Sequence, residues 1–341
     1  MENRTNEKAS SLRWKILRQA LLPRASPPNP DNQAQMDIKR ISRRTIYGFN
    51  LIPSRLLDKC ETDDCDESTS RDACLCYTIP IHGSPRILLI QRVVDRAQLS
   101  DFEICNRYNI DNTGVVCKLL LSYSRKILYS NFTGTETTCI RSHCSWPSED
   151  VLAYYCLSHA DLFRHKKVVE LGSGYGLAGF VIAAVTEASE VVISDGNPVV
   201  VNYIQRNIEV NSGAFGETTV KPMMLHWNQE EPFDIANTFD IIVASDCTFF
   251  KDFHGDLARI VKLLLSKTGS SEAIFLSPKR GNSLDMFLET LKEYGLQFTV
   301  TENYEAEVWN RHKKFMDGKD RDSWPSYEKD HCYPLLIRMS P

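Results

Sequence analysis

An apolar strand, Val168-Val169-Glu170-Leu171, runs directly into Gly172-Ser173-Gly174-Tyr175-Gly176 and then into a helical pattern. Glycines in such a turn let a ligand lie against bare backbone, beside the free amides of the helix N-terminus. Two residues before the first glycine stands a carboxylate, Glu170, and it discriminates between ligands. A pyrophosphate arriving at the turn meets repulsion, whereas an ammonium or a sulfonium meets attraction, and S-adenosylmethionine carries both cations. The next strand ends Val192-Ile193-Ser194-Asp195, 21 residues beyond Gly174. That distance suits a carboxylate accepting two ribose hydroxyls, a role common to both adenosine cofactors; capping the helix that begins at Pro198 is the structural alternative. Gly174-x-Gly176-x-x-Gly179 also satisfies the dinucleotide fingerprint, but its first glycine falls three residues after the strand instead of at its end.

Other residues invite chemistry less strongly. Cys60, Cys65, Cys74 and Cys76 are close in sequence, yet their spacing matches no common zinc ligand set, so no metal is expected. His226 and His254 stand near strand ends as candidate bases, against the commoner alternative of a satisfied core or surface histidine. Phe249 and Phe250 follow a strand and fit either core packing or an apolar wall around an amine.

The elements that must position these groups alternate. Strands are expected at 167–171, 190–194, 218–225, 239–245 and 272–277, with helices reaching 185, over 198–211, 256–266 and 283–294. Two strands, 296–301 and 333–339, then close the chain as an antiparallel pair, with a solvated charged stretch between them. Such alternation predicts an α/β fold with a Rossmann-like, doubly wound sheet. Before it come a basic tail over 1–37 with a short amphipathic helix, a small β-rich N-terminal domain over 38–111, and an atypical insertion over 118–144. The basic residues Lys39, Arg40, Arg43, Arg44 and Arg55 line one face of that β-rich unit.

With 341 residues, 42% hydrophobic and 25% charged, the composition is that of a globular protein and excludes collagen and wholesale disorder. The formal net charge of −4 argues against a nucleic-acid binder, and no apolar run is long enough for a spanning helix. Eleven cysteines in a chain without a secretory leader pattern predict reduced thiols and a cytoplasmic setting, with the nucleus as a second one.

Residues 145–341 resemble the seven-stranded, class I S-adenosylmethionine-dependent methyltransferases, on the glycine turn and on Phe239 to Phe249. Within that group the chain is similar to the protein-lysine branch, methyltransferase family 16. Thr113-Gly114, Trp146-Pro147-Ser148, Leu152-Ala153 and Leu225-His226-Trp227 resemble its signatures, and its Asp-x-x-Tyr reads Asp246-Cys247-Thr248-Phe249 here. A narrower likeness, to the calmodulin-directed members, rests on residues 11–18, on Asp195-Gly196-Asn197, on that phenylalanine and on Ser277-Pro278-Lys279-Arg280-Gly281-Asn282-Ser283-Leu284. The resemblance implies that Glu170, Gly172, Gly174, Asp195, Trp227 and Trp146 hold S-adenosylmethionine, with Trp227 beside adenine. It implies Asp246 and Phe249 where the methyl donor meets a lysine, with calmodulin as the acidic protein substrate and trimethyllysine as product. A small-molecule methyltransferase, an NAD-binding oxidoreductase and an inactive cofactor-binding protein are the rival expectations.

Overall fold

The computed structural model describes residues 48–57, 72–94, 116–117, 147–228, 233–267, 270–320, 323, 324, 327 and 333–341. The expected N-terminal helix, Cys60, Cys65, Arg43, Arg44, Trp146 and the segment 118–144 lie outside these residues. A compact unit extends over Ser42–Pro341.

Among the described residues there are two sheets. The small one has the order β1-β2-β3-β4, from Ser54–Leu57, Asp72–Thr78, Arg86–Val94 and Val116–Cys117. The large one has seven strands in the order β10-β11-β9-β8-β5-β6-β7. Its strands are β5 (Lys167–Leu171), β6 (Glu190–Asp195), β7 (Thr219–Met224), β8 (Ile241–Ser245), β9 (Glu272–Pro278), β10 (Gln297–Thr301) and β11 (Pro334–Ser340). All neighbours are parallel except around β11, which runs antiparallel to both β10 and β9. The expected doubly wound sheet is therefore present, and its antiparallel closing pair is inserted so that β11 separates β10 from β9.

Each central strand is apolar on both faces because helices cover both faces. Val168, Val191, Ile193, Ile241 and Val243 face a core shared with α1 (Pro147–Ser158), α2 (Leu177–Val185) and α3 (Pro198–Val210). The alternate residues Val169, Leu171, Val192, Ile242 and Ala244 face α4 (His254–Leu264) and α5 (Ser283–Glu293). The first of these cores also takes in Phe49, Leu51, Leu75, Ile87 and Leu89, so the small sheet packs into the same apolar interior.

Strand β3 is fastened to α3 by two asparagines. Asn207 accepts from the Ile90 amide at 2.7 Å and donates to the Ile90 carbonyl at 3.3 Å. Asn211 does the same at Leu88, at 2.8 and 2.6 Å. Four residues of helix advance about 6 Å and two residues of strand about 6.6 Å, so asparagines at this spacing match alternate backbone positions of a strand edge.

Between β10 and β11 the chain differs from expectation. A helix, α6 (Ala306–Met316), occupies part of the charged stretch, and Val308, Phe315, Trp324 and Tyr327 are buried. Phe49 meets Phe315, Trp324 and Tyr327 edge to face at 5.8 to 6.1 Å, and Arg311 donates to the Phe49 and Asn50 carbonyls. The solvated insertion is thus in part an aromatic clasp on the chain that leads into β1.

Candidate active site

The carboxyl ends of β5, β6 and β8 meet where the strand order reverses direction, the place where open α/β sheets hold ligands. Gly172 and Gly174 follow β5 with φ of 58° and 57°, left-handed values that glycine adopts without strain. A side chain on Gly174 would meet nothing within 4 Å, so the turn is open there. A Cβ on Gly172 would stand 2.9 Å from the Cys247 sulfur and 3.1 Å from the Trp227 ring, so the turn rests on both.

Asp195, at the end of β6, is 7% exposed. Its Oδ2 accepts from the Gly174 amide at 3.0 Å and its Oδ1 from Asn197 at 2.8 Å. The helix cap weighed for Asp195 belongs to Asn197, whose Oδ1 accepts from Val199 at 3.0 Å. Asp195 therefore fixes the glycine turn while keeping further acceptor capacity for hydroxyls.

Glu170 lies differently from the expectation that it faces the ligand. It is 1% exposed, and its Oε2 accepts from the Gly179 amide at 2.8 Å beneath the first turn of α2. Gly179 is required for that approach, because a Cβ there would lie 2.7 Å from the same oxygen. Desolvation holds the Glu170 carboxyl well above its ordinary range, nearby Glu149 raises it further, and the Gly179 hydrogen bond opposes both. In this arrangement Glu170 ties the turn to the helix from behind.

Glu149 was not singled out from sequence. Its Oε1 accepts from the Leu177 amide at 3.2 Å, supplying a carboxylate to a helix whose own N-cap is a glycine. Its neighbour Asp150 accepts from Leu51 and Ile52 at 3.0 and 3.1 Å. Tyr175, inside the glycine turn, accepts from the Arg92 amide of β3 at 3.1 Å. The turn is therefore braced from α1 and from the small sheet.

After β8, Asp246 takes φ of 54°, strained for a residue with a side chain. Both of its oxygens accept from Nη1 of Arg280, at 3.0 and 2.8 Å. Arg280 lies 34 residues on and 6.0 Å from the Phe249 ring centroid. Cys247 lies in the field of Asp246, Asp195 and Glu170; burial raises its thiol pKa well above the ordinary value, and these charges add to the effect. Half-buried Phe249 and Phe250 meet edge to face at 5.2 Å, and the series continues through Phe253 to Trp227. His254 is a satisfied core residue: Nε2 lies 2.8 Å from the Thr248 carbonyl, and burial lowers its pKa. His226 is likewise buried. Cys74 and Cys76 sit buried inside β2, and among the described residues no His, Cys, Asp and Glu gather as a metal site.

The open glycine turn, the aimed Asp195 and the aromatic wall of Trp227 fit an adenosine ligand. The reversed strand next to the sheet edge places them on the seven-stranded scaffold of the class I, S-adenosylmethionine-dependent methyltransferases. Residues 135–294 match the lysine methyltransferase family. Over 336 residues, 98% of each chain, the sequence is 55% identical to calmodulin-lysine N-methyltransferase of Arabidopsis thaliana, and residues 118–144 lie inside that span. It is also 27% identical over 170 residues to protein N-terminal and lysine N-methyltransferase EFM7 of Candida glabrata, covering 45% of this chain and 63% of the relative. Mouse protein N-lysine methyltransferase METTL21A is 28% identical over 163 residues, 48% of this chain and 71% of its own. The chain belongs to the lysine methyltransferase family and is an S-adenosylmethionine-dependent protein-lysine N-methyltransferase.

Proposed function

We propose that the protein methylates a lysine of calmodulin, in the cytoplasm and the nucleus. The observation that carries the substrate is the end-to-end 55% identity with a calmodulin-lysine N-methyltransferase. The free thiols of Cys76, Cys156 and Cys247 support a reducing compartment.

S-adenosylmethionine, when bound, supplies an electrophilic methyl group. Gly172, Gly174, Asp195 and Trp227 are the residues that would hold it, with Trp146 as a further candidate and Glu170 acting through the turn. The rest of the work is done on the nucleophile. A lysine ammonium has no lone pair to offer, and its ordinary pKa is about 10.4, so the site must favour the neutral amine. Phe249 and Phe250 exclude water beside Asp246, which penalises the charged form. The Asp246 carboxylate accepts from the amine and orients it, while the same aromatic faces suit the cation formed on methylation.

The test is incubation of purified calmodulin with labelled cofactor, followed by mass spectrometry. Label on one calmodulin lysine is expected. Label confined to other proteins or to small molecules would reassign the substrate.

A further inference from the structure

The segment Ser277 to Leu284 grips the loop after β8 at three points, and its only buried cation sits on Asp246. Lys251 is held by Asn282 at 2.5 Å, and Ser283 donates to the Phe249 carbonyl at 3.0 Å and to that of Thr248. The third point is the Arg280–Asp246 ion pair, whose side chains are 3% and 10% exposed. Water screens such a pair poorly, so its charge state governs any third ion brought beside it.

An unpaired carboxylate at Asp246 would form an ion pair with an arriving lysine ammonium and hold it protonated, which is the unreactive form. A carboxylate already paired with a guanidinium offers an acceptor without net negative charge. We propose that Arg280 is a positioning residue whose charge neutralises Asp246, so that the substrate lysine sheds its proton on entry and attacks the methyl group as the free amine. The proton leaves to solvent before the methyl group moves, and the amine nitrogen then forms the bond to carbon as the bond to sulfur breaks. This rests on the reading of Asp246 as the residue that meets the amine.

The neighbouring charges have partners of their own and do not substitute for Arg280. Glu170 accepts from Gly179, Asp195 from Gly174 and Asn197, and His254 lies against the Thr248 carbonyl. Lys279 pairs with Asp285 at 3.1 Å on the surface, Lys251 with Asn282, and Asp252 is exposed. Cys247, raised by burial, stays a neutral thiol.

The experiment measures kcat/KM for calmodulin against pH at saturating cofactor, with affinity for S-adenosylhomocysteine by calorimetry as the measure of an intact site. In the parent, the acid limb is expected below the ordinary lysine value of about 10.4. Arg280→Gln moves that limb to higher pH by about one unit, a tenfold loss at fixed pH that is recovered in alkali. Arg280→Lys keeps the charge and leaves the limb in place, and S-adenosylhomocysteine binds all three alike. A glutamine variant that loses activity equally at every pH, or loses none, overturns the proposal. Should that variant fail to bind S-adenosylhomocysteine, the parent decides alone: a limb at or above the ordinary lysine value overturns it. A parent that methylates no lysine of calmodulin fails the substrate reading instead, and takes this proposal with it.

Discussion

Both oxygens of Asp195 accept backbone hydrogen bonds, so its carboxylate is aimed before any ligand arrives. Asp195→Ala should weaken S-adenosylhomocysteine binding by about 1–3 kcal/mol, the cost of losing charge-assisted hydrogen bonds. Calorimetry on the folded variant checks this, and unchanged affinity would assign the ribose elsewhere. Glu170 gives a second prediction, about stability. Its pKa is raised in the folded protein, so the folded state binds that proton more tightly than the unfolded chain does. Its contribution is complete below the unfolded pKa and declines as pH rises from there to the folded value. Glu170→Gln should therefore gain melting temperature relative to the parent as pH climbs through that window; a difference that does not change with pH would contradict the buried-charge account. The glycine turn and Asp195 were legible in sequence because strand, turn and helix are local signals. Glu149 and Arg280 were not, because each acts on a partner 28 or 34 residues away and nothing local marks the meeting.

At the scale of elements, Asn207 of α3 and Asn211 just after it take the place of a strand neighbour at Ile90 and Leu88, outside the Val93 and Val94 pairing with β4. Removing one side chain leaves both a buried donor and a buried acceptor of β3 unmatched. Asn207→Ala should therefore cost about 2 kcal/mol of stability, read from denaturant unfolding, with little change in cofactor affinity once folded. A variant as stable as the parent would mean that water replaces the amide. Sequence periodicity located the alternating strands and helices, because covering both faces of a parallel sheet leaves long apolar runs. It missed α6, whose buried residues are few among charged ones, Val308 and Phe315 within the helix and Trp324 and Tyr327 beyond it. The aromatic clasp around Phe49 joins residues from opposite ends of the chain, which no window along the sequence contains.

For the whole molecule, the doubly wound sheet and its antiparallel closing pair were legible in the sequence, whereas the insertion of β11 between β9 and β10 was not. The apolar interior shared by the small sheet and α1 to α3 was not, because strands of the small sheet read as a unit with a core of its own. The net charge of −4 leaves recognition of an acidic substrate to local surfaces, and residues 1–30 hold six lysines and arginines against two acids. Neutralising Arg43 and Arg44 together should slow association with calmodulin and flatten the salt dependence of activity without touching cofactor affinity. Stopped-flow rates at several ionic strengths check it, and parental behaviour would return these arginines to a solvated role. The fastening of β3 to α3 also bears on how the protein is made. Ile90 leaves the ribosome 117 residues before Asn207, which at about 5–20 residues per second is a wait of roughly 6 to 23 seconds. For that interval the nascent chain presents an uncovered strand edge, open to any chaperone or neighbouring polypeptide that pairs with it first.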